Sequence, residues 1–154
     1  MSDAHRRQLA ISGERLRISY TMKRDLASAG MPGQLVESVF HVRVHGLGYS
    51  VVEVETPTFN TKFRTYVLCT PIDEEHAILR GGGTMLSLPD PNMTKMVNDM
   101  FFKGFVHDVE QDFNIWENKA YLERPVLAAN DGPIGQYRKW CKRFYAEPQQ
   151  EAAE

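Results

Sequence analysis

The sequence of 154 residues contains only two cysteines, Cys69 and Cys141. The first falls in a predicted strand and the second in a predicted helix. Two separated thiols do not make the disulfide framework of a small secreted domain. They are also too few for a zinc cluster or an iron–sulfur cradle. The cysteine content therefore favours a cytoplasmic protein without a cysteine-bound metal cluster.

Long apolar runs and a dominant charge are also missing. No segment approaches the roughly 20 apolar residues that cross a bilayer, and the first seven residues lack the apolar core of a signal peptide. The 18 basic and 20 acidic residues give a net charge of -2, which provides no general attraction to nucleic acid or to an anionic membrane. We therefore expect a cytoplasmic protein with no membrane span and no nucleic-acid partner.

Short segments rich in β-branched residues dominate the first half of the chain. They predict five strands, over residues 16–22, 36–45, 49–55, 63–69 and 76–80. Short turns between them are typical of an antiparallel meander. After Leu88 the hydrophobic period changes from two to 3.6, which predicts a long helix over 92–119 and a second over 133–145. The predicted fold class is α+β, with an antiparallel sheet, a long C-terminal helix packed across it and a short helix after that.

The two ends of the chain are polar. We predict a flexible N-terminus over residues 1–12 and a flexible tail over 148–154. A chain of this length suffices for one domain with a hydrophobic core and is short for two. The predicted single domain therefore covers residues 13–147.

Asp112 stands where a hydrophobic side chain is expected. At 100° per residue, one stripe of the long helix collects the apolar residues Val97, Phe101, Phe105, Val109, Ile115 and Trp116. Asp112 lies within that stripe, and a buried carboxylate is costly unless it is paired, protonated or bound to a metal. Its partner could be a sheet arginine: Arg43, Arg64 or Arg80. Alternatively Asp108, one turn earlier, could complete a carboxylate pair for acid–base chemistry, and the residues alone leave both interpretations open.

Three other patterns favour structural interpretations. His41 and His45 lie on a predicted strand, where four residues span about 13 Å, too far for one metal ion. The glycines at 81–83 lack the Lys-Ser/Thr ending of a phosphate loop, so a strand end or bulge is the better interpretation. Basic and aromatic residues over 137–145 separate to opposite helix faces, which indicates a packed amphipathic helix. Docking of an acidic protein is the second interpretation of that helix.

Four motifs near the C-terminus occur in the order of a known family. They are Glu-Gln-Asp-Phe-Asn-Ile-Trp-Glu-Asn-Lys (110–119), Arg-Pro-Val-Leu (124–127), Asp-Gly-Pro-Ile (131–134) and Arg-Lys-Trp-Cys-Lys-Arg-Phe-Tyr (138–145). This part of the chain resembles the C-terminus of the Rieske non-haem iron oxygenases, in the branch of 3-ketosteroid 9α-hydroxylases and cholesterol 7-desaturases. The resemblance is specific over residues 105–145 and weaker over the strands.

The resemblance implies a partial helix-grip, START-like fold, in which an antiparallel sheet curves around the long helix. It also implies a mononuclear Fe(II) held by two histidines and one aspartate, and Asp112 matches the aspartate. An apolar cavity beside the iron holds the substrate in this family. The residues expected to line it are Met100, Phe101, Phe105 and Trp116. An ordinary packed core explains each of them equally well.

Two parts of the family's pattern are missing from this sequence. It has no Asp-x-x-His-x-x-x-x-His pattern for the histidine ligands, and no Cys-x-His or Cys-x-x-His pair for the [2Fe-2S] cluster. The resemblance therefore implies the C-terminal portion of an oxygenase that acts on a steroid or another apolar ring compound. Its N-terminal half, and a reductase or ferredoxin as electron donor, are the implied partners. We expect the chain alone to be inactive and to bind neither cofactor.

Two alternatives remain open at this point. The chain could be a degenerate helix-grip module that binds an apolar ligand without catalysis. It could also be a structural or interaction remnant that is stable only as an oligomer, since a half-domain exposes a sheet edge and apolar surface. An oligomer is expected in either event.

Overall fold

The computed structural model describes residues 8–26, 31–128 and 131–146. Six strands come first: β1 (Gln8–Ser12), β2 (Arg15–Leu26), β3 (Met31–His45), β4 (Tyr49–Thr56), β5 (Thr61–Pro71) and β6 (Ala77–Met85). They are followed by two helices, α1 (Pro91–Glu117) and α2 (Ile134–Cys141). Short 3₁₀ helices lie at Pro57–Phe59 and Lys142–Phe144.

The strands form one antiparallel sheet in the order β1-β2-β3-β4-β5-β6, so each strand pairs with the next along the chain. Tight turns join β1 to β2 and β3 to β4, where Gly13 and Gly46 adopt φ of 55° and 60°, a conformation that glycine reaches without steric cost. The predicted α+β class and the antiparallel meander are confirmed.

β1 lies in the segment that was expected to be a flexible N-terminus. Residues 8–12 form a strand that was not expected there, which pairs with β2 and places Leu9 opposite Ile18 and Ile11 opposite Leu16. The polar residues 1–7 set the prediction for the whole segment, although Leu9 and Ile11 alternate as they do in a strand. The rest of that expectation, at residues 1–7, and the flexible tail at 148–154 lie outside the described residues.

Alternation along the strands gives the sheet an apolar face and a charged face. One row of paired residues on the apolar face consists of Phe40, Val54 and Phe63. The next row, on the charged face, consists of His41, Glu53 and Arg64. Helix α1 packs on the apolar face, where the ring of Phe101 stacks on Phe63 with centroids 3.7 Å apart.

The glycines of β6 allow α1 to lie close to the sheet. Gly81–Gly83 pair with β5 in continuous register in the middle of the strand, so the expected strand end or bulge is wrong. A Cβ on Gly83 would lie 2.5 Å from the carbonyl oxygen of Arg64 and 3.0 Å from Cζ of Phe102. Since real Cβ atoms do not approach a backbone oxygen so closely, a larger residue would push β6 away from β5, and the Phe102 ring of α1 would also have to move.

Helix α1 begins with a side-chain cap. The Asp90 carboxylate accepts a hydrogen bond from the backbone N–H of Asn92 at 2.8 Å, and Pro91 occupies the first turn, as expected for a helix start.

The C-terminal helical segment packs at the edge of the sheet formed by β1 and β2. Trp140 is 2% exposed, and its Nε1–H donates to the Gly13 carbonyl at 3.0 Å. Within the described ranges, neither helix combines the length and apolar character needed to cross a bilayer.

Candidate functional site

A cavity of about 480 Å³ lies between the apolar face of the sheet and α1. This volume is within the range of about 300–1,000 Å³ that is usual for small-molecule pockets. The wall is formed mainly by apolar side chains: Met31, Phe40, Val52, Val54, Phe59, Phe63, Leu88, Met93, Val97, Met100, Phe101 and Phe105. Such a wall favours an apolar ligand.

Two periodicities of the sequence build this wall. Every second residue of β4 and of β5 contributes, so that Val52, Val54 and Thr56 face the same space as Thr61, Phe63 and Thr65. From α1 the contributions recur at helical spacing from Met93 to Asp108. At 1.5 Å per residue these two positions are about 22 Å apart along the helix axis. The cavity is therefore elongated.

Polar groups are few in this wall. Two of the three threonine hydroxyls have partners: Thr56 Oγ1 lies 3.2 Å from Ser38 Oγ, and Thr65 donates a long hydrogen bond of 3.5 Å to the Val52 carbonyl. The fourth polar side chain is Asp108, which is exposed. It forms no hydrogen bond or ion pair with any of the residues that the structure describes.

Three of the four side chains expected at a substrate cavity lie together. Met100, Phe101 and Phe105 line the cavity, whereas Trp116 is not among its lining residues. Trp116 is 46% exposed and contacts Phe113 edge-on with ring centroids 5.7 Å apart. Eleven residues beyond Phe105, it is about three turns further along the helix. Their roles in binding a substrate remain predictions.

Asp112 is exposed, and so is every residue of α1 after it. The expectation that it lies on a buried helix face is therefore wrong. The apolar stripe continues through Ile115 and Trp116, but among the described residues nothing covers that part of the helix, and Ile115 is exposed. Helical periodicity identifies the apolar face, yet burial depends on which element packs against it.

Two of the three arginines proposed as partners for Asp112 instead form ion pairs with Glu53. Glu53, on the charged face of the sheet, is buried, and its Oε2 lies 2.8 Å from Nη2 of Arg43. Its Oε1 accepts a hydrogen bond from Nε of Arg64 at 2.8 Å. Burial alone raises the pKa of Glu53, but the hydrogen bond from Arg64 and the charge of Arg43 outweigh burial and lower the pKa below its ordinary value. Arg80 is exposed.

The histidines do not complete a metal site with Asp112. No group of three His, Cys, Asp or Glu side chains capable of holding a metal ion occurs within residues 8–26, 31–128 and 131–146. His41 lies on the charged face of the sheet, bonded to Ser19 Oγ at 3.0 Å. His76 forms a hydrogen bond with Asp73, with 2.9 Å between Nδ1 and Oδ1. The described residues therefore supply at most one ligand, Asp112, of the three that the resemblance implies for the mononuclear iron.

Comparison with known proteins gives the family. A family described as the 3-ketosteroid 9alpha-hydroxylase C-terminal domain matches residues 12–145. The chain belongs to this family.

Individual relatives of the 3-ketosteroid 9alpha-hydroxylase C-terminal domain carry names of the same kind. A 3-ketosteroid-9-alpha-monooxygenase oxygenase component of Rhodococcus rhodochrous is 32% identical over 79 residues, which are 50% of this chain and 20% of that protein. The corresponding component of Mycolicibacterium smegmatis is 29% identical over 80 residues, 50% of this chain and 21% of that protein. A cholesterol 7-desaturase of Caenorhabditis elegans is 50% identical over 38 residues, 25% of this chain and 9% of that protein. The matches thus span about a fifth or less of these relatives' lengths.

The sheet's contribution to the cavity was missed from the sequence. Val52, Val54, Phe63 and Phe40 were placed in strands, but none was identified as a cavity residue. Alternation indicates that such residues share a face, and this signal was available. Only the strand register and the position of α1 show that they face a space instead of filling a core.

Proposed function

We propose that this chain is the cavity-forming portion of a Rieske-type oxygenase catalytic domain that acts on a steroid or another apolar ring compound. The observation that carries the proposal is the elongated, mainly apolar cavity of about 480 Å³ between α1 and the sheet. Family membership and the relatives' names support it. The long helix lying on an antiparallel sheet further supports a partial helix-grip, START-like arrangement.

The proposal assigns Asp112 as this chain's ligand to the mononuclear iron of the whole oxygenase. Its place in the 110–119 motif supports the assignment, and its exposure leaves the carboxylate accessible to another segment. Trp116, four residues later on the same side of the helix, is proposed as a substrate contact near that iron. The two histidines and the [2Fe-2S] cluster would come from the remaining part of the oxygenase or from a second polypeptide. Electrons would come from a reductase or ferredoxin.

Under this proposal the 154-residue chain is inactive alone and binds no iron stoichiometrically. Anaerobic titration of the purified chain with Fe(II), followed by metal analysis after gel filtration, tests this. One bound iron per chain would contradict it.

The cytoplasmic location and the oligomeric state also remain predictions. A melting temperature that rises with protein concentration would support an oligomer.

Ligand binding by the cavity is tested with a matched pair of substitutions in α1. Val97 lines the cavity, whereas Val106 is 51% exposed and does not. Val and Phe have similar helix propensities, so Val97→Phe and Val106→Phe perturb the helix alike. We expect Val97→Phe to weaken binding of a fluorescent sterol about tenfold, because the added ring occupies cavity space. Val106→Phe should leave the affinity unchanged.

Two outcomes would contradict the proposed cavity function. The first is no saturable sterol binding by the unaltered chain. The second is equal affinity of Val97→Phe and Val106→Phe. Thermal melting of both variants is the control that they remain folded.

The rival function is a module that binds an apolar ligand without catalysis. It is favoured by one contrast: the described residues form a cavity, whereas they contain no group of side chains that could hold a metal ion. Asp112→Ala distinguishes the two. If the chain is only a binding module, Asp112→Ala still binds sterol, and the unaltered chain mixed with the missing oxygenase half shows no turnover. In the oxygenase, the reconstituted enzyme is active and Asp112→Ala abolishes that activity.

A further inference from the structure

Asp108 lies at one end of the cavity, one helical turn beyond Gly104 and Phe105. Two contacts show which end this is. Phe101 stacks on Phe63, and Phe105 lies 3.6 Å from the Cβ position of Gly81. Gly81 pairs with residue 67 of β5, four residues beyond Phe63. Helix α1 therefore runs away from the turn between β4 and β5, and Asp108 lies at the opposite end.

The chemistry of the two ends differs. The hydroxyls of Thr56 and Thr61 lie near the β4–β5 turn, whereas the hydroxyl of Thr65, which donates to the Val52 carbonyl, lies two residues beyond Phe63. A hydroxyl can both donate and accept hydrogen bonds. At the other end Asp108 is the only charged side chain among the described residues that line the cavity. An ionised carboxylate accepts hydrogen bonds and donates none. A ligand group beside Asp108 is therefore favoured if it can donate.

The geometry points to Asp108 as a residue that determines specificity, selecting an elongated apolar ligand with a hydroxyl group at the end that lies beside it. The inference rests on the proposed function and names the head group that the same cavity prefers. The ring body would lie against Phe63, Phe101 and Phe105, and the hydroxyl would donate to the carboxylate at the exposed end. A ketone at this position has only acceptor lone pairs, which would face the negative charge. A hydroxysterol should therefore bind better than the corresponding ketosteroid.

The test uses two sterols that differ only at this group, 5α-cholestan-3β-ol and 5α-cholestan-3-one. Each competes with a fluorescent sterol for the full 154-residue chain. We expect the alcohol to bind at least about fivefold more tightly than the ketone, as a charge-assisted hydrogen bond at a partly hydrated site allows. Asp108→Asn has the same shape and an amide that donates, so it should remove or reverse that preference.

Glu110→Gln provides the control, because Glu110 is exposed on the same helix and does not line the cavity. It should keep the preference for the alcohol. Equal affinity of the two sterols for the unaltered chain would overturn the inference while leaving the proposed cavity function intact. An alcohol preference that persists in Asp108→Asn would overturn it as well. If neither sterol binds, the proposed cavity function fails, and the inference fails with it.

Discussion

Replacing Glu53 by glutamine removes the charge that Arg43 and Arg64 share on the charged face of the sheet. The Glu53 side chain is only 10% exposed, and each arginine has a nitrogen 2.8 Å from one of its oxygens. A hydrogen bond between charged partners contributes about 1.5–3 kcal/mol. Because the arginines are 35% and 58% exposed, water screens part of this. We expect Glu53→Gln to lower the free energy of unfolding by about 1–2 kcal/mol at pH 7.

The effect should depend on pH in a defined direction. The folded state lowers the pKa of Glu53 below its ordinary value of 4.5, so ionised Glu53 stabilises the fold. This contribution is fully present above the pKa of the unfolded state and is lost as the pH falls through the lower pKa of the folded state. The difference between the two proteins should therefore be constant from pH 6 to 8 and shrink in acid, below about pH 4.5.

Urea unfolding followed by tryptophan fluorescence measures this difference at each pH. Glu55→Gln is the matched control, since Glu55 lies on the same strand face and pairs with Lys62 in the open, where both side chains are well exposed. Such a pair contributes about 0–1 kcal/mol. The reasoning is refuted if the two substitutions cost the same at pH 7, or if the Glu53→Gln difference survives undiminished at pH 3.

Two further substitutions test how α1 and the C-terminal helical segment are attached. Gly83→Ala should destabilise the protein by about 1–3 kcal/mol, because its Cβ would lie 2.5 Å from a backbone oxygen of β5. Gly135→Ala is the control: nothing lies within 4 Å of its Cβ position, so it should stabilise the protein by up to about 1 kcal/mol. Melting temperatures of the two variants that shift in the same direction would contradict the steric argument. Trp140→Phe keeps an aromatic ring but loses the hydrogen bond to the Gly13 carbonyl, so urea unfolding should show a loss of about 1 kcal/mol; an unchanged midpoint would show that this bond contributes nothing.

Local signals predicted the elements well. Val-rich alternation placed β3, β4 and β5, and Asp90 followed by Pro91 placed the start of α1 within a residue or two, because a cap acts through its immediate neighbours. β1 was missed because a short edge strand needs only one apolar face and is stabilised by its pairing with β2. The three glycines of β6 were misinterpreted for a related reason. Their function is steric, and the side chains that need the space, Phe102 and Phe105, are about 20 residues further along the sequence.

The sequence by itself determined the fold class, the order of five of the six strands and of both helices, and the family, because these depend on local periodicity, capping and the order of motifs. Only the tertiary structure decided which side chains are buried. Asp112 fits a buried stripe by periodicity, yet it is exposed. Glu53 has no distinctive sequence pattern, yet it is the carboxylate that forms ion pairs with two arginines. The cavity is likewise a tertiary feature, since it is the space left where α1 meets the apolar face of the sheet. Burial and cavity shape depend on contacts between distant segments, and a periodic pattern specifies a face without specifying what covers it.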